Sequence, residues 1–330
     1  MNYEIIDCID SGTEFCPCKL AEANECILCS QMCGKKFCDC MNWKGTCIYQ
    51  EFYNNGNKAK EGRKAFDCSI KEVTKLQEDL IKIRFSVPHK LALDLTPPGS
   101  YVFLRTDDNV YFDVPISIAY SDTDADEITV LIEIRGIKTK KLTELKEGDI
   151  LGVRGPYWNG VFGLKNIQNA KNGNCVVIAR GIGMAPMLPV IKRLINNGNS
   201  LRLIIDKSPY EEIYVKEYLD EYNLTYEEIP VLNNKGELSE EIKAVIKEEY
   251  DGKEISLIHC AGADILTYRM IEFTNSLDTN LKISCCNNAK MCCGEGICGS
   301  CTARFKGRKV KRLCKVQTDP RNIFEGRRFI

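Results

Sequence analysis

From about Phe66 the chain alternates apolar and polar positions: Ile81, Ile83, Phe85 and Val87 are separated by Lys82, Arg84 and Ser86. A period of two predicts a strand with one buried face. Further strand-like runs lie at 101–105, 116–120, 128–135 and 150–153. Turn formers such as Pro97-Pro98-Gly99 and Glu147-Gly148-Asp149 separate them. Many short strands with little helix predict a small antiparallel barrel. The pattern changes at Asn174. Cys175-Val176-Val177-Ile178-Ala179 is continuously apolar, followed by the turn Gly181-Ile182-Gly183 and a helix-period segment to about Asn196. Strands at 201–205, 227–231 and 255–260 then alternate with helices near 211–221 and 239–249. Such alternation predicts an α/β domain, a parallel sheet covered by helices on both faces.

Neither end of the chain follows these periods, and composition explains why. Of 19 cysteines, nine fall within residues 1–47 and seven within 285–314, while only Cys68, Cys175 and Cys260 lie between. The expected organisation is therefore multidomain: a Cys-rich metal-binding module (1–64), an antiparallel β-barrel (65–162), an α/β domain (163–284), and a second cysteine module with a basic tail (285–330). Cysteine crowding means disulfides or metal. The first residues carry no basic and apolar leader pattern, so a reduced, cytoplasmic, metal-binding chain is expected. No run of 18 uncharged apolar residues suggests a membrane span. With 45 basic against 46 acidic residues, the chain lacks the surplus of a nucleic-acid binder. Two histidines, His89 and His259, leave thiolate as the expected metal donor.

The sharpest chemical signal is Cys293, Cys298, Cys301 and Cys314, spaced C-x4-C-x2-C-x12-C. The first two spacings, across three cysteines, are those of plant-type [2Fe–2S] ligation. Gly294, Gly296 and Gly299 would let the backbone wrap a cluster and aim N–H groups at its sulfurs. The N-terminal block offers Cys16, Cys18, Cys26, Cys29, Cys33, Cys38, Cys40 and Cys47. Eight thiols satisfy two four-thiolate sites, and their spacing does not choose between zinc and iron–sulfur. A block of that size needs metal to fold. In the barrel, Pro115-Ile116-Ser117-Ile118 places a hydroxyl in a pinned strand, and Gly136 with Thr139 offers a close backbone approach plus a hydroxyl. Gly181, Gly183, Ala185 and Pro186 open a helix after a strand, the geometry that seats a dinucleotide pyrophosphate.

These motifs, in this order from Pro98-Gly99 through the four cysteines, resemble the ferredoxin-reductase superfamily. The pattern is similar to that of the iron–sulfur flavoprotein electron-transfer subunits of dihydroorotate dehydrogenase. The small subunits of NADH-dependent ferredoxin:NADP oxidoreductase and of sulfide dehydrogenase share it. The resemblance covers about residues 66–320. It implies Ser117 near flavin N5, with Pro115, Ile116 and Ile118 around it. It also implies Ile134, Arg135, Gly136, Lys138 and Thr139 along the FAD pyrophosphate, and 181–186 with Cys260 at the nicotinamide nucleotide. Three positions depart from the family. Val114 replaces the arginine usual before Pro-x-Ser, so Arg135 or Lys138 is expected to supply counter-charge. Lys138 replaces a glycine. Cys260-Ala261-Gly262 stands where the family has Cys-Gly-Pro.

The implied function is a relay among NAD(P)H, FAD and iron–sulfur centres, serving a larger oxidoreductase or flavoprotein subunit in a hetero-oligomer. Company with flavin and a [2Fe–2S] centre favours an additional [4Fe–4S] cluster in the N-terminal block. Asp206, ending the second parallel strand, leans towards NADH, because a carboxylate there disfavours a 2′-phosphate. One alternative is an FAD/Fe–S conduit that has lost nicotinamide binding. Another, of a different class, is a zinc-stabilised docking module.

Overall fold

The computed structural model describes residues 7–38, 44–106, 113–305 and 310–324 of the 330. The chain forms two compact units. Among the described residues, one joins residues 7–65 to 289–324; the other holds residues 66–288. The expected barrel and α/β domains thus share a unit. The two cysteine modules, expected separately at 1–64 and 285–330, fold together.

The first unit begins with β1 (Asp7–Cys8), α1 (Lys19–Glu22) and α2 (Ile48–Asn54). The barrel region follows as β2 (Ala65–Gln77), β3 (Leu80–Ser86), α3 (His89–Asp94), β4 (Tyr101–Arg105), β5 (Val114–Ser117), β6 (Tyr120–Asp122), β7 (Glu127–Glu133), α4 (Ile137–Leu142) and β8 (Ile150–Tyr157). Its seven strands run in the order β5-β4-β8-β2-β3-β7-β6. The two edge strands, β5 and β6, are consecutive in sequence, and only Ile118 and Ala119 link them. A sheet whose opposite edges are joined by two residues must curl on itself. The Ile118 N–H donates to Ser100 and the Ala119 N–H to Thr129, stitching the seam to β4's entry and to β7. The strand expected at 116–120 is therefore split, because its middle turns the corner between edges. Pro115 lies on edge strand β5, where a missing N–H costs no interior ladder bond. Ile70, Ile83, Phe85, Val102, Ile128, Val130 and Val153 are among the buried residues of the core.

The α/β region holds β9 (Val161–Phe162), α5 (Leu164–Asn169), β10 (Asn174–Arg180), α6 (Met184–Asn196), β11 (Ser200–Asp206), α7 (Lys216–Glu221), β12 (Glu227–Glu228), α8 (Glu240–Gly252), β13 (Ile255–Ala261), α9 (Asp264–Leu277) and β14 (Ile283–Cys286). The sheet order is β12-β11-β10-β13-β14-β9, parallel except for antiparallel β9. Val177 and Ala179 of β10 join one core with Ile167 of α5, Leu188 and Ile191 of α6 and Leu219 of α7. Their neighbours Val176 and Ile178, buried on the opposite face by strand alternation, lie outside that core, as do Ile242 and Ile246 of α8 and Leu266 and Met270 of α9. Helices on both faces, as the strand–helix alternation predicts, bury this sheet. The helix expected at 211–221 is shorter, and the strand expected at 227–231 is a two-residue edge.

The chain then returns to the first unit with β15 (Thr302–Arg304), β16 (Val310–Arg312), β17 (Val316–Gln317) and α10 (Pro320–Phe324). The hairpin β15–β16 is antiparallel, and β17 pairs antiparallel with β1. A strand from the start of the chain is thus zipped to one just beyond Cys314.

Candidate functional site

Cys293, Cys298, Cys301 and Cys314 lie in a loop shaped by glycines. Gly294, Gly296 and Gly299 have φ of 70°, 79° and 74°, a region that side chains with a Cβ rarely adopt. A Cβ on Gly296 would also lie 2.8 Å from Leu20. The Glu295 N–H points at the Cys293 sulfur at 3.3 Å, and the Cys314 N–H at the Cys301 sulfur at 3.4 Å. The four thiols gather as two pairs, Cys293 with Cys298 and Cys301 with Cys314. Burial works against a thiolate at Cys293. Backbone N–H groups of Cys298, Glu295 and Ile297 and the Cys298 thiol outweigh it, and the group lies below its ordinary range. The Cys301 sulfur is lowered chiefly by the hydrogen bond from Cys314, whose own proton is correspondingly held. Two pairs are the donor set of a two-iron centre, in which each iron takes two protein thiolates. Among the described residues, no three His, Cys, Asp or Glu side chains surround one point. The residues present fit a [2Fe–2S] group.

The N-terminal cysteines are less assembled. The Cys29 N–H points at the Cys26 sulfur at 3.4 Å, the Cys33 thiol donates to the Cys26 carbonyl, and the Gln50 N–H points at the Cys47 sulfur at 3.4 Å. Burial pushes the Cys16 thiol up to about 12 and that of Cys26 to about 11. Cys18 is half-buried and Cys38 exposed; Cys40 lies outside the described residues. Among the described residues, these cysteines are not gathered into a group that could hold a metal ion.

In the barrel, Pro115, Ile116 and Ser117 are half-buried on β5, and Ile118 is buried in the core. Beside them lies a charge cluster that sequence reasoning missed. Asp113 accepts from Arg105 Nε at 2.7 Å and from Arg154 Nη2 at 2.8 Å, while Lys138 Nζ donates to its carbonyl at 3.0 Å. Two cations thus converge on one carboxylate, and a third reaches the backbone carbonyl of the same residue. Burial opposes ionisation of Asp113, but both arginines hold it below the usual carboxylate range. The Arg154 guanidinium lies 4.5 Å from the centre of the Phe103 ring, which fixes its plane. Here, directly before Val114, is the surplus positive charge that the missing arginine leaves open. Lys138 belongs to this cluster. Arg135 does not: its side chain is 77% exposed and pairs with Glu133. Arg105 and Arg154 carried no signal, because their spacing from β5 depends on strand register.

Thr139 also has a fuller role than a lone hydroxyl. Its Oγ1 accepts from the N–H groups of Arg135 at 3.0 Å and Gly136 at 3.2 Å, and donates to the Gly136 carbonyl at 3.2 Å. It therefore shapes the turn that follows Ile134 at the end of the β7 segment. The side of Gly136 where a Cβ would sit is open. An open turn beside a cationic cluster fits a diphosphate-bearing flavin.

At the second nucleotide segment, Gly181, Gly183 and Ala185 are buried and Pro186 is half-buried at the start of α6. A Cβ on Gly183 would come within 2.1 Å of the Ala261 carbonyl, so glycine is needed for α6 to approach the end of β13. Asp206 is turned inward. One oxygen accepts from the Ser208 N–H at 3.0 Å, the other from Arg180 Nε and the Val231 N–H, each at 3.0 Å. Its carboxylate ties β10, β11 and the 230s loop together. Cys260 is fully buried with its thiol pushed up, first by burial and then by neighbouring Cys286.

The oxidoreductase FAD-binding domain family matches residues 67–162. The chain is 31% identical over 219 residues to the dihydroorotate dehydrogenase B (NAD(+)) electron transfer subunit of Clostridium acetobutylicum, covering 66% of this chain and 81% of that one. It is 27% identical over 276 residues to sulfhydrogenase 2 subunit gamma of Pyrococcus furiosus, covering 76% and 93%. Among solved structures, it superimposes on the NADH-dependent reduced ferredoxin-NADP oxidoreductase with a TM-score of 0.59 at 19% identity. That match covers 77% of this chain and 86% of the other, and shows the shared fold. With its FAD-binding barrel, its α/β domain and this relationship, the chain belongs to the FAD-binding oxidoreductase family of the dihydroorotate dehydrogenase electron transfer subunits.

Proposed function

We propose that the chain is an iron–sulfur flavoprotein subunit that moves electrons between NAD(P)H and a larger oxidoreductase subunit. FAD and a [2Fe–2S] centre would lie within it, in a cytoplasmic hetero-oligomer. The observation that carries this reading is the pairing of the four C-terminal thiols in a glycine-wrapped loop, in a chain of electron-transfer-subunit kinship. Bound FAD supplies the exchange between two-electron hydride chemistry and one-electron transfer. The chain's own residues do the positioning. The β5–β6 seam holds Ser117 on the barrel edge, where its hydroxyl would hydrogen-bond the flavin ring near N5. The Thr139-shaped turn, with Arg105, Arg154 and Lys138, would take the diphosphate; the cations offset its charge. The N-terminal block would hold a further iron–sulfur centre, probed by iron content above two atoms per chain. Among the described residues, no helix is long and apolar enough to cross a membrane.

A specific observation favours a second reading, a conduit without nicotinamide binding. Asp206 already accepts three hydrogen bonds, and Cys260 is sealed from solvent. One anaerobic titration separates the two. Bleaching of flavin absorbance by NADH or NADPH supports the relay from nicotinamide; bleaching by dithionite alone supports the conduit. A colourless protein refutes both.

A further inference from the structure

Within the first unit, two acids and two bases meet out of solvent. Asp10 and Arg63 have side chains 1% exposed, Lys315 is wholly buried, and Glu295 is 15% exposed. Arg63 grips Asp10 through both guanidinium nitrogens, at 2.6 and 2.9 Å, and reaches Glu295 at 3.1 Å. Lys315 Nζ donates to Asp10 and lies 3.2 Å from Glu295. The Arg63 N–H adds a bond to the other Glu295 oxygen at 3.2 Å, and the Phe15 ring lies 4.0 Å from its guanidinium. Every member is paired, and the formal charges sum to zero.

Their positions in the chain give the quartet meaning. Glu295 stands two residues after Cys293, and Lys315 directly follows Cys314. Asp10 and Arg63 come from opposite ends of the N-terminal cysteine block. The Lys315 carbonyl accepts from the Ile9 N–H at 2.9 Å, beside the β1–β17 pairing. Leu20 fills the space beside Gly296, and Arg312 links Glu25 to the Gly296 carbonyl. The Lys315 charge also acts on the sulfur of Cys314 and on that of Cys8, outside the eight N-terminal candidate ligands.

We propose that Asp10, Arg63, Glu295 and Lys315 are positioning residues for the [2Fe–2S] site. They clamp the ligand loop onto the N-terminal block and set the potential of the cluster through their charge balance. This rests on the reading of Cys293, Cys298, Cys301 and Cys314 as cluster ligands. A buried ion set is poorly screened, so an unbalanced charge beside the ligands acts strongly on the electron they share. Lys315→Met leaves a net negative charge and disfavours the reduced cluster. Asp10→Asn leaves a net positive charge and favours it.

The test uses the full chain, purified without oxygen, and follows the midpoint potential of the reduced [2Fe–2S] EPR signal. K315M is expected to shift it down, D10N up, and the double variant to return close to the parent. A quartet that only held the fold together would not produce opposite signs that cancel. If K315M loses its iron, Glu295→Gln takes its place, because this carboxylate is partly exposed; its shift is expected upward, like that of D10N. Parent-like potentials in D10N and in K315M or E295Q, or a downward shift in E295Q, overturn the clamp while leaving the cluster assignment intact. A parent protein without the signal overturns the cluster assignment, and the clamp with it.

Discussion

The two units solve the stability problem in different ways. The unit of residues 66–288 buries aliphatic side chains by the dozen around its two sheets. The cysteine-rich unit has a thinner set of buried apolar residues, including Leu20, Met32, Phe305, Leu313 and Ile323. At its centre lies a four-charge cluster. Burying ions costs several kcal/mol each before pairing offsets it, so such a cluster specifies geometry more than it stabilises. One unit is a folded scaffold on its own account. The other has the thinner core and, on the proposed function, would gain stability from bound metal.

Removing metal should break this comparison most sharply. Structural thiolate–metal sites contribute on the order of 10 kcal/mol of apparent folding energy. Cys301→Ala, or chelation of the whole protein, is expected to abolish the [2Fe–2S] EPR signal and open residues 289–325 to protease. FAD should stay bound in the second unit, as flavin fluorescence after denaturation will report. Loss of FAD together with the signal would mean that the units do not fold separately.

A matched pair of substitutions comes next. Phe85→Ala, in a fully buried barrel position, is expected to cost about 3–5 kcal/mol in the flavin-linked melting transition. Arg63→Met leaves Asp10 short of a partner and is expected to cost a similar 3–5 kcal/mol in the iron-linked transition. Each should leave the other transition near its parent temperature. Crossed effects would show that the transitions are one.

The pH responses should separate the units by a smaller margin. Burial holds His259 neutral, down at about 3 from an ordinary 6.5, with Nδ1 2.8 Å from Ser284 Oγ. The unfolded chain then binds a proton that the native one refuses. Stability from this group is intact above pH 6.5 and lost as pH falls towards 3. Between pH 6.5 and 5 the loss is about 2 kcal/mol, read in the flavin-linked transition and removed by His259→Gln. Asp10 behaves differently. Burial alone would raise it, but Lys315 and Arg63 hold it at about 2 against 3.8. Its contribution is therefore present above about pH 4 and fades only as pH falls through 2. The barrel and α/β unit should respond to mild acid first.

The smallest effect is expected at the flavin turn. Thr139→Val removes bonds to Arg135 and Gly136 and should weaken FAD retention by about 1–2 kcal/mol, with Thr139→Ser close to parent. Equal FAD content in both would detach this turn from flavin binding.

What was legible in the amino-acid sequence was local. A period of two in 81–87, a continuous apolar run before Gly181, and the spacing of Cys293, Cys298 and Cys301 each report on one segment whose neighbours lie nearby in the chain. Those signals sufficed for the barrel and the parallel sheet, and they singled out the cysteines proposed as cluster ligands. Strand β2 was not resolved as an element, because charged Lys71, Glu72 and Lys75 blur its alternation. Only the tertiary structure could decide the rest. Arg105 and Arg154 reach Asp113 through the register of β4 against β5 and β8, and register is a property of strand pairs. Lys315, in sequence one more cation of a basic tail, is wholly buried because Asp10 meets it from 305 residues away. Periodicity records which face of an element is buried. It holds no record of which distant charge will be waiting there, and that pairing fixes whether a lysine faces water or helps to form the core of a site.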